Sequence, residues 1–352
     1  LMNKIGVFIG TLVLFAFLNS GCGSKLRSTS GLPSPAPAAP ISFAAGTIAL
    51  SNAFASGSDS VLQGFSTSVA IANVNGVHYG AVIDPATGEM KIEHGSGIRS
   101  SLSRVRKAVT TLPGLNLRLT HVGGMGFDAS QTILYVLETV SGPSDSSHHQ
   151  SGSLYSINTA SQNSVTEFDL GSTVDLPLGF AYVGGSNPSL YFSSKNGTDG
   201  RVYSIPATGG TPTVFTSGLT EPTGLAADDT YIYVYDISGS AAKIYRSPIT
   251  GIQSGNLEEI PVSMIAASPA SQPLALSSQD DFHTLFYVDG LQVRALDLKE
   301  LTVGTIAASS SLIVNTGKLQ DISSVSFSSS DSVLMVSSLA EKKVLYARAG
   351  SS

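Results

Sequence analysis

Short apolar segments, many built around a tyrosine, recur in pairs along the chain. One member of each pair reads Ile133-Leu134-Tyr135-Val136, Leu190-Tyr191-Phe192, Tyr231-Ile232-Tyr233-Val234, Leu285-Phe286-Tyr287-Val288 and Val333-Leu334-Met335-Val336. The other reads Leu154-Tyr155-Ser156-Ile157, Val202-Tyr203-Ser204-Ile205, Ile244-Tyr245-Arg246, Val293-Arg294-Ala295-Leu296 and Val344-Leu345-Tyr346. A further apolar segment precedes each pair and can be anchored at Phe65, Phe127, Phe180, Leu225, Leu276 and Val325. The anchors repeat at intervals of roughly 50 residues, the length of about four short strands and their turns. Tight connections recur as Asp84-Pro85-Ala86-Thr87-Gly88, Pro206-Ala207-Thr208-Gly209 and Pro248-Ile249-Thr250-Gly251. Proline presets φ there and glycine permits positive φ.

A four-stranded sheet of this size cannot bury both of its faces alone. Its repeats must stack face to face around a common axis. The apolar runs then become strands covered on both sides. The expected fold is therefore all-β, a six-bladed β-propeller occupying residues 46–352. The last copy offers three strands, at 324–327, 333–336 and 343–347, while residues 47–50 (Thr-Ile-Ala-Leu) precede the first copy. This N-terminal strand is expected to complete the last blade and so remove an exposed sheet edge.

Composition narrows the function. Hydrophobic residues make up 42% of the chain and charged residues 12%, with a net charge of −6. That combination excludes disorder over most of the length. It also argues against nucleic acid as a partner, since no basic excess is present to neutralise phosphates. With one cysteine, no internal disulfide and no cysteine-based zinc site can form.

The cysteine, Cys22, has a telling position. Lys4 precedes an apolar run at residues 5–18, shorter than the roughly 20 residues of a bilayer-spanning helix. A positive start, a short apolar run and small residues at its end have the form of an export signal. Residues 18–22 (Leu-Asn-Ser-Gly-Cys) resemble the lipobox of bacterial lipoproteins, whose cysteine is lipidated at its thiol and becomes the new N-terminus. Asn19 departs from the apolar residue usual in that motif. The resemblance makes residues 1–21 a lipoprotein signal peptide and Cys22 an acylated membrane anchor; the alternatives are an ordinary signal peptide with an incidental cysteine, or a short membrane anchor. With Gly23 rather than Asp after the cysteine, it implies the bacterial outer membrane, on its periplasmic or surface face. Residues 22–45, with Pro33, Pro35, Pro37 and Pro40, then form a Pro/Ser/Ala-rich tether. At about 3.1 Å per residue, an extended tether of this kind reaches on the order of 60 Å.

Pro222-Thr223-Gly224-Leu225-Ala226-Ala227-Asp228-Asp229, followed by Tyr233-Val234-Tyr235-Asp236, resembles the six-bladed propeller superfamily. That group includes NHL-repeat proteins, gluconolactonase- and paraoxonase-like enzymes, and TolB-like domains. In its lactonase-type members a calcium ion sits at the channel mouth, held by carboxylates and asparagines from different blades. Glu138, Asp236 and Asp289 end the second strands of blades two, four and five, so the resemblance implies that they could hold Ca2+. Ser194 and Ser338 occupy the equivalent places in blades three and six, and the Glu-Gly-Pro type opening of gluconolactonases is missing. The alternative is that an acid ending a strand caps a turn through backbone bonds.

Other candidates belong to the rims. His148 and His149 lie in the loop 141–152, and His121 stands at the entrance to blade two. Arg104, Arg106 and Lys107, near Arg99, make a basic cluster suited to an anionic envelope polymer. No G-x-S-x-G nucleophile elbow is present, and His94-Gly95-Ser96-Gly97 reads as a glycine-rich turn rather than a catalytic set. His78 and His283 read as strand or turn residues. The expected function is a binding or scaffolding module for a protein or envelope polymer, lipid-anchored in the cell envelope. The alternative is a calcium-dependent hydrolase of the lactonase type. A purely structural envelope component is a third reading.

Overall fold

The computed structural model describes residues 65–71, 78–83, 90–95, 110–111, 122–139, 152–160, 164–171, 174–196, 198–250, 254–266, 272–279, 282–298, 311–314, 320–328, 333–338, 340 and 343–348. They lie in one compact unit, Ala39–Ser352. Among them the regular structure is all β, in six antiparallel sheets arranged as a propeller.

Sheet 1 holds β1 (Phe65–Ile71), β2 (His78–Ile83), β3 (Met90–Gly95) and β4 (Thr110–Thr111). Sheet 2 holds β5 (Val122–Phe127), β6 (Ile133–Thr139), β7 (Gly152–Asn158) and β8 (Ser164–Asp169). Sheet 3 is built of β9 (Pro177–Val183), β10 (Ser189–Asn196), β11 (Asp199–Pro206) and β12 (Thr213–Leu219). Sheet 4 follows with β13 (Pro222–Ala227), β14 (Tyr231–Ser238), β15 (Ala241–Pro248) and β16 (Glu258–Ile265). In sheet 5 these places are taken by β17 (Leu274–Gln279), β18 (Phe282–Asp289), β19 (Gln292–Asp297) and β20 (Ser311–Val314). Sheet 6 has three described strands, β21 (Ser324–Ser328), β22 (Val333–Ser338) and β23 (Lys343–Arg348). The strand expected at 47–50 to complete that sheet lies outside the described residues.

Each sheet runs from its first strand outward in chain order. The six first strands lie side by side in a closed circuit, β1 against β5, then β9, β13, β17, β21 and back to β1. Sheets 2 and 5 therefore stand opposite each other. All six anchors taken from the sequence fall in these first strands.

The apolar cores sit between sheets. Leu137 and Leu154 of sheet 2 pack with Phe180, Phe192 and Ile205 of sheet 3. Ala181 and Tyr191 of sheet 3 pack with Leu225 and Val234 of sheet 4. A larger cluster joins sheets 4, 5 and 6 through Tyr235, Leu285, Phe286 and Met335. Burying such a side chain contributes about 1.5–3 kcal/mol. Ring pairs give the seams a fixed geometry, with Phe286 and Phe327 stacked at 4.8 Å. The outer strand β8 is mostly exposed, which explains its polar sequence.

Near the axis, first strands approach too closely for side chains. A Cβ on Gly179 would lie 2.8 Å from Gly224 Cα, and one on Gly224 would lie 2.4 Å from Pro273 Cδ. Register shifts interrupt β5, β9 and β13 at matching places. In sheet 3 the shift directs the Gly179 amide onto Ser193 Oγ at 2.7 Å. The expected turn at residues 206–209 is present, with Gly209 at φ +96° and its amide donating to the Pro206 carbonyl at 2.8 Å.

Candidate functional site

The ring has two rims. At one, first strands begin and second strands end; this rim carries Glu138, Ser194, Asp236, Asp289 and Ser338. Asp236 is buried opposite Pro222. Its carboxylate accepts the Thr220 amide at 3.0 Å and the Glu221 amide at 2.7 Å. It thereby ties the connection entering sheet 4 to the strand that follows. Burial pushes its carboxyl above the ordinary range, and the two amides pull the other way.

The same task recurs with other chemistry. The Ser194 hydroxyl donates to the Asp175 carbonyl ahead of sheet 3. The Ser338 hydroxyl donates to Asp321 Oδ1 ahead of sheet 6 at 2.5 Å, and the Ala340 amide meets the same oxygen at 3.0 Å. Glu138, buried, accepts the Tyr155 hydroxyl at 3.1 Å. The Tyr155 phenol is pushed up to about 12, chiefly by burial; the Ser153 hydrogen bond opposes this and Glu138 adds to it. Asp289 pairs with Arg294 Nε at 2.6 Å. These acids each serve local contacts, and among the described residues no three of His, Cys, Asp or Glu stand close enough together to hold a metal ion. Cys22, His121, His148, His149, Arg104, Arg106 and Lys107 lie outside the described residues.

A cavity of about 430 Å³ lies on the axis. Its walls come from the first strands of sheets 2 to 6 and include Met125, Phe180, Leu225, Leu274 and Ser326. First strands pair along one edge within their sheets, so their other edge turns backbone amides and carbonyls inward. One such amide, on Met125, donates to Gln272 Oε1 at 3.3 Å. Gln272 is buried, and its main chain joins sheet 6: the Val325 amide donates to the Gln272 carbonyl at 2.8 Å. Toward the opposite rim the cavity meets Phe127, Asp128, Tyr182, Ala227 and Phe327 at the far ends of their strands.

Sequence reasoning missed Gln272 and also a polar seam between sheets 4 and 5. Asp228 caps its turn by accepting the Thr230 and Tyr231 amides at 2.7 Å and the Tyr233 hydroxyl at 3.1 Å. His283 of sheet 5 brings Nε2 within 3.0 Å of Asp228 Oδ2, outside hydrogen-bond geometry. Arg246, buried, donates Nε to Glu258 at 2.8 Å and lies over the Tyr231 ring at 4.9 Å. The Asp228-Asp229 pair before a Tyr-x-Tyr strand was the available signal for the turn; nothing local marked its link to residue 283.

The chain matches no protein-family model and no curated protein. Among solved structures it is similar to a gluconolactonase from Xanthomonas campestris, at 12% identity and a TM-score of 0.55, over 82% of this chain and 87% of that one. That likeness shows the propeller fold. Weaker likenesses are to TolB from Acinetobacter baumannii, at 14% identity and a TM-score of 0.44 over 65% and 51% of the two chains, and to the Dos1 propeller, at 10% identity and 0.42 over 79% and 67%.

Proposed function

We propose that this chain is a lipid-anchored cell-envelope propeller of six blades, its last blade completed by residues 47–50, whose rim loops bind or scaffold a protein or an envelope polymer. The anchor is Cys22, the reach comes from residues 22–45, and the destination is the outer membrane of a bacterium. The carrying observation is how the strand-end side chains are used. Asp236, Ser194 and Ser338 fasten the connections between sheets. A rim built this way is a stiff platform for its loops, and loops on stiff scaffolds commonly carry recognition.

Fractionation and cross-linking test this. A Cys22→Ser variant is expected to leave the membrane fraction; unchanged fractionation would overturn the anchor. A photoreactive residue placed at exposed Thr220, in the connection entering sheet 4, or at exposed Asp229, in the turn of the opposite rim, should yield discrete adducts with an envelope component in living cells. Absence of adducts together with lactone hydrolysis that EDTA abolishes would replace the binding reading with the hydrolase.

A further inference from the structure

The axial cavity has a chemistry of its own. Among the described residues that line it there is no lysine, arginine or histidine, and the charge it contains is the carboxylate of Asp128. Asp128 Oδ1 accepts the Thr132 and Ile133 amides, each at 2.9 Å, and Ser130 donates to Oδ2. These neutral donors fix the carboxylate in place without supplying a counter-charge. Phe127, Tyr182 and Phe327 line the same end of the cavity from sheets 2, 3 and 6, with Tyr182 also stacked on Tyr135 and Phe327 on Phe286. The remaining lining is largely strand edge, where carbonyl oxygens able to face a cation alternate with amides.

Competing ligand classes fit less well. An anion would meet Asp128 with no cation among the described lining residues to receive it. A divalent metal needs several oxygen ligands, and no acidic or histidine cluster able to hold one occurs among the described residues. A wholly apolar molecule would desolvate the carboxylate and the strand edges without replacing their hydrogen bonds. A cation with apolar substituents satisfies all three surfaces: the carboxylate, the carbonyls and the faces of the rings.

We propose that the axial cavity binds a small organic cation, an ammonium ion of about the size of choline, with its charge beside Asp128 and its methyl groups on Phe127, Tyr182 and Phe327. The negative field at this end reaches the second strand of the same sheet. The Tyr135 phenol is pushed up to about 12, first by burial, then by Tyr182 and Asp128. This site is separate from the rim-loop function proposed above, and neither depends on the other.

The test uses the purified full chain in a maltoside detergent. Its probes are choline chloride, the neutral isostere 3,3-dimethylbutan-1-ol, and calcium chloride at matched ionic strength. Ligand-observed saturation-transfer NMR and thermal shift are the readouts. Choline is expected to bind saturably, with the isostere about tenfold weaker. Asp128→Asn keeps the acceptor of the turn and removes the charge. It should weaken choline about tenfold and leave the isostere unchanged. Tyr182→Leu should weaken choline in a background where the turn is untouched, so it carries the test if Asp128→Asn lowers the melting temperature. Equal binding of choline and its isostere overturns the proposal, as does full choline affinity in both variants. An equal response to calcium assigns the cavity to an inorganic ion, and no saturable choline binding leaves it to water.

Discussion

Gln272 Oε1 accepts the amide of Met125 at 3.3 Å, joining residues 147 positions apart across the ring of first strands. Met125 belongs to sheet 2, and Gln272 leads into sheet 5 on the far side. A strand edge facing an axial cavity leaves its amides for water; here a carboxamide takes the place of water and braces the ring across its diameter.

Replacing Gln272 with alanine should therefore destabilise the protein by about 1–3 kcal/mol, the cost of stranding a buried donor. Chemical denaturation measures this directly. A stability equal to wild type would mean that water replaces the carboxamide without loss.

Close approach near the axis makes a second position sensitive. Gly224→Ala places a methyl group 2.4 Å from Pro273 Cδ, at the junction of sheets 4 and 5. Overpacking of this kind costs about 1–3 kcal/mol. The melting temperature should fall, while Ala241→Gly, at an exposed site beginning the third strand of sheet 4, should change it far less.

Asp236→Ala leaves the Thr220 and Glu221 amides without their acceptor and should cost about 1–3 kcal/mol. Because that acceptor role is internal, the loss is expected to be the same in calcium and in EDTA. A loss seen in calcium alone would instead make Asp236 a metal ligand.

Alkaline stability follows from two tyrosines. Tyr135 and Tyr155 are both pushed up to about 12, chiefly by burial, from an ordinary value of 10.0. The folded state thus favours the neutral phenol. That contribution is complete below pH 10 and is lost as pH rises toward 12. Phenolate absorbance should show these two ionising late. The Tyr135→Phe and Tyr155→Phe variants should each lose less stability than wild type between pH 10 and 12.

The repeat was legible because strand pattern is local. Tyr135, Tyr191 and Tyr233 sit at matching places on second strands and pack across seams, as their spacing required. The strand-end acids were legible in position and left open in role. Whether Asp236 meets a metal or an amide depends on how the chain enters sheet 4, which the strand pattern does not specify. Gln272 was invisible, since a lone glutamine before a proline resembles any loop. Its partner is chosen by ring geometry, not by neighbours in sequence. The Asp228–His283 approach was hidden for the same reason, as it arises when separate sheets meet.

The placement of the cores between sheets bears on ancestry and engineering alike. A single repeat cut from this chain would carry halves of two interiors and the whole of none. Such a fragment has nothing to hold it shut, so the smallest piece able to persist by itself must include several neighbours. Shuffling or transplanting segments should then succeed where a junction moves a shared interior intact, and fail where it divides one.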